Sequence, residues 1–99
     1  MPLYLVQHNH TPETCPTKNL EMVRQLSGHV NAANAAKYGV KILADFVYEA
    51  EHMVVLVLEA DSPDKAANFA LPFLHVGSVT IRAGATCDDV ARQCLGNRS

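Results

Sequence analysis

The chain has 99 residues and a formal net charge of −2, and 48% of its residues are hydrophobic. It carries no run of lysines and arginines, which argues against binding to a nucleic-acid backbone. No apolar run approaches the roughly 20 residues of a membrane span, and no signal-peptide pattern is evident. Three cysteines without the spacing of a disulfide framework favour a reduced, cytoplasmic protein. The length predicts a single domain over residues 1–99.

The first third of the chain predicts a strand followed by a long helix. Residues 3–9 are short, partly aromatic and bounded by prolines, as expected for a strand. Apolar residues at helical spacing then predict a helix that begins at Lys18 with Thr17 as its N-cap. Gly39 is placed to end this helix, and Gly28 to mark a bend in it.

The remaining elements follow in quick succession. Residues 40–49 and 53–59 predict two strands joined by a short hairpin. Ser62 predicts the N-cap of a second helix, which Pro72 ends, and residues 77–83 predict a fourth strand.

A capping pattern at Thr86 and Asp89 opens a short C-terminal helix, with Cys87 and Cys94 on its apolar stripe as core thiols. The order β-α-β-β-α-β defines an α+β fold of the ferredoxin-like kind. It predicts a four-stranded antiparallel sheet in the order 4-1-3-2, with helices on one face.

The third strand is apolar on both sides, with Val55 and Val57 on one and Val54, Leu56 and Leu58 on the other. A strand of this kind is normally buried on both faces. Two small helices cover only one face of the sheet, so we expect a homodimer in which a second subunit covers the other.

The predicted topology gathers histidines at one edge of the sheet, while His29 lies elsewhere. His8 and His10 share a side of their strand, and imidazole with thiolate suits zinc, nickel or copper better than calcium or magnesium. The predicted ligands of this transition-metal site are His8, His10, Cys15 and His52, with His75 or Glu13 in reserve.

Two segments, HTPETCP and HMVVLVLEADSPDKAANFALPFLHVGSVTIR, resemble a family of small uncharacterised ferredoxin-like proteins of the dimeric α/β-barrel superfamily. The resemblance implies a homodimer packed sheet against sheet. Relatives in that superfamily include cofactor-free monooxygenases, haem-handling enzymes, lactone isomerases and nickel-binding proteins.

Three functions follow as hypotheses. The first is a small metal-binding protein. The second is a dimeric α/β-barrel enzyme, of the monooxygenase or isomerase type, that acts on a small aromatic or lactone substrate with His8 or His10 as acid/base. The absence of tryptophan and the presence of only six aromatic residues count against the monooxygenase type. The third is a structural or regulatory dimer without chemistry.

Overall fold

Four antiparallel strands form a single sheet in a computed structural model that describes residues 2–13, 15 and 18–96. The elements in chain order are β1 (Leu3–Asn9), α1 (Leu20–His29), α2 (Ala32–Lys37), β2 (Val40–Tyr48), β3 (Met53–Ala60), α3 (Pro63–Ala70), β4 (Ser78–Gly84) and α4 (Cys87–Gly96). Short 3₁₀ turns over Glu49–Glu51 and Leu71–His75 lead into β3 and β4. The strand order β2-β3-β1-β4 is the predicted order, and it is compatible with a ferredoxin-like arrangement.

The start of the first helix differs from the prediction. It begins at Leu20 instead of Lys18, and the predicted cap Thr17 lies outside the described residues. Asn19 is the N-cap, since its side-chain oxygen accepts hydrogen bonds from the backbone N–H of Glu21 and Met22 at 3.0 and 3.2 Å. An asparagine satisfies the first N–H groups of a helix as well as a threonine does.

The predicted long helix is in fact two helices, and the break lies at Val30 and Asn31, close to the bend predicted at Gly28. Asn31 interrupts the first helix and caps the second, accepting a hydrogen bond from the N–H of Asn34 at 2.8 Å. Gly39 ends the region with φ +74°, the left-handed conformation that glycine adopts without strain.

The second half of the chain follows the prediction closely. Ser62 occupies the N-cap of α3 with Pro63 in the first turn, and Thr86 caps α4 through its hydroxyl, 3.0 Å from the N–H of Asp89. Helical structure continues past Pro72 as a 3₁₀ turn. The prediction that Cys87 and Cys94 are core thiols is wrong for this chain, because both are exposed.

The core lies between the sheet and the helices. Its strand residues alternate along β1 and β3, and the helices add Ala35, Ala66 and Phe69. Tyr4, Val6, Leu56 and Leu58 are the main strand contributions. Each large apolar side chain buried here stabilises the fold by about 1.5–3 kcal/mol. No helix within the described part of the chain is long and apolar enough to cross a bilayer.

Gly77 allows the loop before β4 to pack against the end of β1. A Cβ at this position would overlap the backbone oxygen of Asn9 and lie 2.9 Å from Cε1 of His8. We therefore expect Gly77→Ala to lower the free energy of unfolding by about 1–3 kcal/mol, as overpacking does. Chemical denaturation would measure the loss.

Gly84→Ala is the matched control, because no described atom lies within 4 Å of a Cβ built there. Equal stability of the two variants would contradict the close packing at Gly77.

Candidate metal centre

His10 and His52 are held together by the backbone. His10 directly follows β1, and its N–H donates a hydrogen bond of 3.0 Å to the carbonyl oxygen of His52, which precedes β3. The two rings meet edge to face, with their centroids 5.3 Å apart. The antiparallel pairing of β1 with β3 therefore sets the separation of the two imidazoles.

Cys15 joins these two histidines. One ligand atom from each of His10, Cys15 and His52 lies within 4.8 Å of the other two, and all three residues are half-buried. We call this set the His–Cys–His group. The fold thus brings together three of the four predicted ligands.

His8 lies beside the His–Cys–His group and not within it. Its side chain is 1% exposed, and its ring packs between His10 and Phe73 with centroid distances of 5.1 and 5.0 Å. Its Nδ1 lies 3.1 Å from the carbonyl oxygen of Ser78 and donates a hydrogen bond to it. That bond places the ring proton on Nδ1 and leaves the lone pair on Nε2.

The other histidines have different surroundings. His75 and the reserve ligand Glu13 are exposed and lie outside the His–Cys–His group. His29 lies elsewhere, as expected: its Nε2–H donates to the backbone oxygen of Phe69 at 2.6 Å, and its Nδ1 lies 3.0 Å from the amide nitrogen of Asn34. His29 therefore links α1 to α3 and α2, which is a structural role.

Three buried imidazole nitrogens have no hydrogen-bond partner among the described residues. They are Nε2 of His8, Nδ1 of His10 and Nδ1 of His52. A buried polar atom without a partner costs about 1–3 kcal/mol. The rings that carry these nitrogens are neighbours, with centroid distances of 5.1 and 5.3 Å, and a bound metal ion would give such nitrogens a partner.

His52 has an unusual backbone conformation. Its φ and ψ are 52° and 50°, the left-handed region, and it is the one described non-glycine residue with positive φ. This conformation costs an ordinary residue about 1–2 kcal/mol, and strain of this kind concentrates at functional sites. The sequence pattern EAEH contained no glycine to signal such a turn.

Burial changes the acidity of two histidines. Desolvation lowers the pKa of His8 and of His10 below the ordinary value of 6.5, and the neighbouring imidazoles of His10 and His52 lower them further. The carbonyl of Ser78 acts in the opposite direction on His8. Both shifts favour the neutral form of the ring, which is the form that coordinates metal ions.

These shifts predict how the stability of the metal-free protein depends on pH. In the unfolded chain both histidines take up protons near pH 6.5, whereas in the folded chain they do so only at lower pH. Between these values the unfolded state binds more protons, so the free energy of unfolding falls as pH drops below about 6.5. Urea unfolding at a series of pH values would measure this.

The His10→Gln variant should show a shallower fall over the same pH range, because one of the two titrating groups is gone. Stability that rises on acidification through this range would contradict the lowered pKa values.

A cavity of about 420 Å³ opens next to the His–Cys–His group, between α1 and the sheet. All three members of the group line it, together with apolar side chains that include Val23, Leu26, Val54 and Phe73. The exposed acidic residues Asp45 and Glu49 also line it. The apolar spacing along α1 was visible in the sequence, but it gave no sign that these side chains border a cavity.

No protein-family model, no curated protein and no solved structure matches this chain. The interpretation of the site therefore depends on its own geometry.

Proposed function

We propose that this protein binds one transition-metal ion, zinc, nickel or copper, through His10, Cys15 and His52. The observation that supports this most directly is the approach of three ligand atoms to within 4.8 Å of one another. Imidazole nitrogen and thiolate sulfur are borderline-soft ligands that suit these ions and do not suit calcium or magnesium.

The three ligand atoms would have to move only a short distance to coordinate an ion. Zinc–nitrogen and zinc–sulfur bonds of about 2.0–2.3 Å in a tetrahedral site place the ligand atoms roughly 3.3–3.6 Å apart. Ligand atoms that now lie within 4.8 Å of one another would have to approach by no more than about 1.5 Å, as the difference between these distances shows. Such a movement is within the reach of side-chain rotations at a chain turn.

His8 is the fourth predicted ligand, and we propose a supporting role for it. Its Nδ1–H donates to the carbonyl oxygen of Ser78, and its ring lies 5.1 Å from the ring of His10, which it supports by packing. Its ring is fixed by that bond and by Phe73, outside the group of three. We therefore favour three protein ligands and an open fourth position, as in catalytic zinc sites.

Isothermal titration calorimetry, in which zinc is added to chelator-treated protein, tests the proposal. We expect one ion per chain. Cys15→Ser and His10→Ala should each weaken the affinity for zinc by at least about 100-fold, because the loss of one ligand costs several kcal/mol of binding free energy. His75→Ala is the matched control, since this exposed histidine lies outside the group. Equal zinc uptake by all four proteins would refute the site.

The His8→Gln variant distinguishes a site with three protein ligands from a site in which His8 is a fourth ligand. With three protein ligands, its zinc affinity should fall by only about 10–100-fold, the loss typical when a residue that supports a ligand is replaced. A loss as large as that of His10→Ala would make His8 a ligand.

We also propose a homodimer formed through the face of the sheet opposite the helices. Leu5, Phe46, Val55 and Val57 share this face, and Phe46 remains 57% exposed in the single chain. Contiguous apolar surface of this kind usually marks an interaction site. The packing of sheet against sheet that the family resemblance implies would cover it.

A further inference from the structure

We infer that the cavity beside the His–Cys–His group holds a small, neutral, mostly apolar molecule that places one oxygen or sulfur donor on the bound ion. This inference rests on the metal site proposed above. It assigns a class of ligand to the open coordination position, which the metal proposal alone does not do.

The first support is that the cavity and the metal group share their walls. His10, Cys15 and His52 all line the cavity, so an ion held by them lies at its boundary. Three protein ligands leave one position of a tetrahedral ion open. The cavity volume of about 420 Å³ falls in the range of small-molecule sites.

The second support is the incomplete packing of α1. All ten residues of this helix are described, and none of them is buried, whereas α3 buries Ala66, Phe69 and Ala70. The apolar side chains Val23 and Leu26 of α1 border the cavity. An apolar molecule beneath α1 would supply the contacts that the core gives to α3.

The third support concerns charge. Asp45 and Glu49 line the same cavity, and their carboxylates disfavour an anionic ligand. A cation is disfavoured by the metal ion and by the desolvation that the apolar wall imposes. The ligand class that remains is neutral in solution, with an apolar body and a single donor atom at one end, as in a phenol, an alcohol or a thiol. A phenol or thiol that coordinates as its anion releases its proton to solvent.

Cobalt(II) in place of the native ion makes the open position visible, because its absorption spectrum responds to each ligand exchanged. We expect phenol to shift the visible spectrum of the cobalt-loaded protein with saturation. Benzoate, which has a similar ring and an anionic head, should bind at least about tenfold more weakly. Benzoate that binds as tightly as phenol would overturn the inference that the ligand is neutral.

Val23→Phe fills the cavity without removing a metal ligand. It should leave the cobalt spectrum unchanged in the absence of phenol and weaken phenol binding by at least about tenfold, as overpacking does. Val90→Phe makes the same change on α4, which does not line the cavity, and should bind phenol as the wild type does.

The two proposals fail in different ways. A protein that takes up no cobalt refutes the metal site, and this inference with it. A protein that takes up cobalt normally but shows no spectral response to phenol, or responds equally in Val23→Phe, overturns the cavity ligand and leaves the metal site standing.

Discussion

Replacing His10 by alanine is expected to abolish the thermal stabilisation that zinc gives to the wild-type protein. An ion that binds only the folded state contributes about 2.7 kcal/mol at 100 times its dissociation constant. For a domain of 60–100 residues this corresponds to a rise in Tm of about 10–20 °C. His10→Ala removes one of the ligands that approach within 4.8 Å, so the melting curves with and without zinc should coincide.

Circular dichroism melts of the chelator-treated protein, with and without added zinc, measure this shift. His75→Ala should keep the full rise, because His75 is exposed and lies outside the His–Cys–His group. A rise of wild-type size in His10→Ala would show that zinc stabilises the fold from another place.

Two substitutions at His52 separate the cost of its left-handed backbone conformation from its proposed role as a metal ligand. Glycine adopts φ 52° without the cost of about 1–2 kcal/mol that alanine meets there. Without metal, His52→Gly should therefore be more stable than His52→Ala. With zinc, neither variant should gain stability, and a gain in either would exclude His52 as a ligand.

The order of the sheet was predictable because local signals were consistent. The cap at Ser62 and the stop at Gly39 fixed where helices and strands alternate, and the strand order followed from that alternation. The start of the first helix and the full break after the bend predicted at Gly28 were missed, because the side chains of Asn19 and Asn31 cap the two helices. A reading of every asparagine as a potential cap would have found both.

The site was predictable in part. His10 and His52 meet because antiparallel pairing brings the end of β1 to the start of β3. Strand alternation placed His8 beside His10, and the two rings do lie 5.1 Å apart, although His10 follows the last residue of β1. His8 is nevertheless not one of the three residues whose ligand atoms meet, because its Nδ1 bonds to Ser78 and its ring packs against Phe73.

The pattern of apolar residues in the sequence could not predict the cavity or the exposure of α4. An apolar stripe on a helix indicates that something covers it, but not whether that is the core, a ligand or a second chain. In α1 the stripe borders a cavity, and in α4 none of the ten described residues is buried. Only the packing of the whole chain distinguishes these cases.

The sheet face opposite the helices leads to the other large expected effect. We expect wild-type protein to run as a dimer, at twice the 10.8 kDa of the chain, and Phe46→Asp to run as a monomer. An unpaired carboxylate buried between two subunits costs several kcal/mol, which is enough to dissociate a dimer at micromolar concentration. Light scattering coupled to size-exclusion chromatography measures the mass directly.

Phe46 suits this test because it is 57% exposed in the single chain, so an aspartate there need not be buried within one subunit. Val55→Asp, at a half-buried position on the same face, should have the same effect at a greater cost in stability. Ala33→Asp adds the same charge to an exposed position in the first turn of α2 and should stay dimeric. A wild-type mass near 10.8 kDa, or a dimeric Phe46→Asp, would rule out this face as the interface.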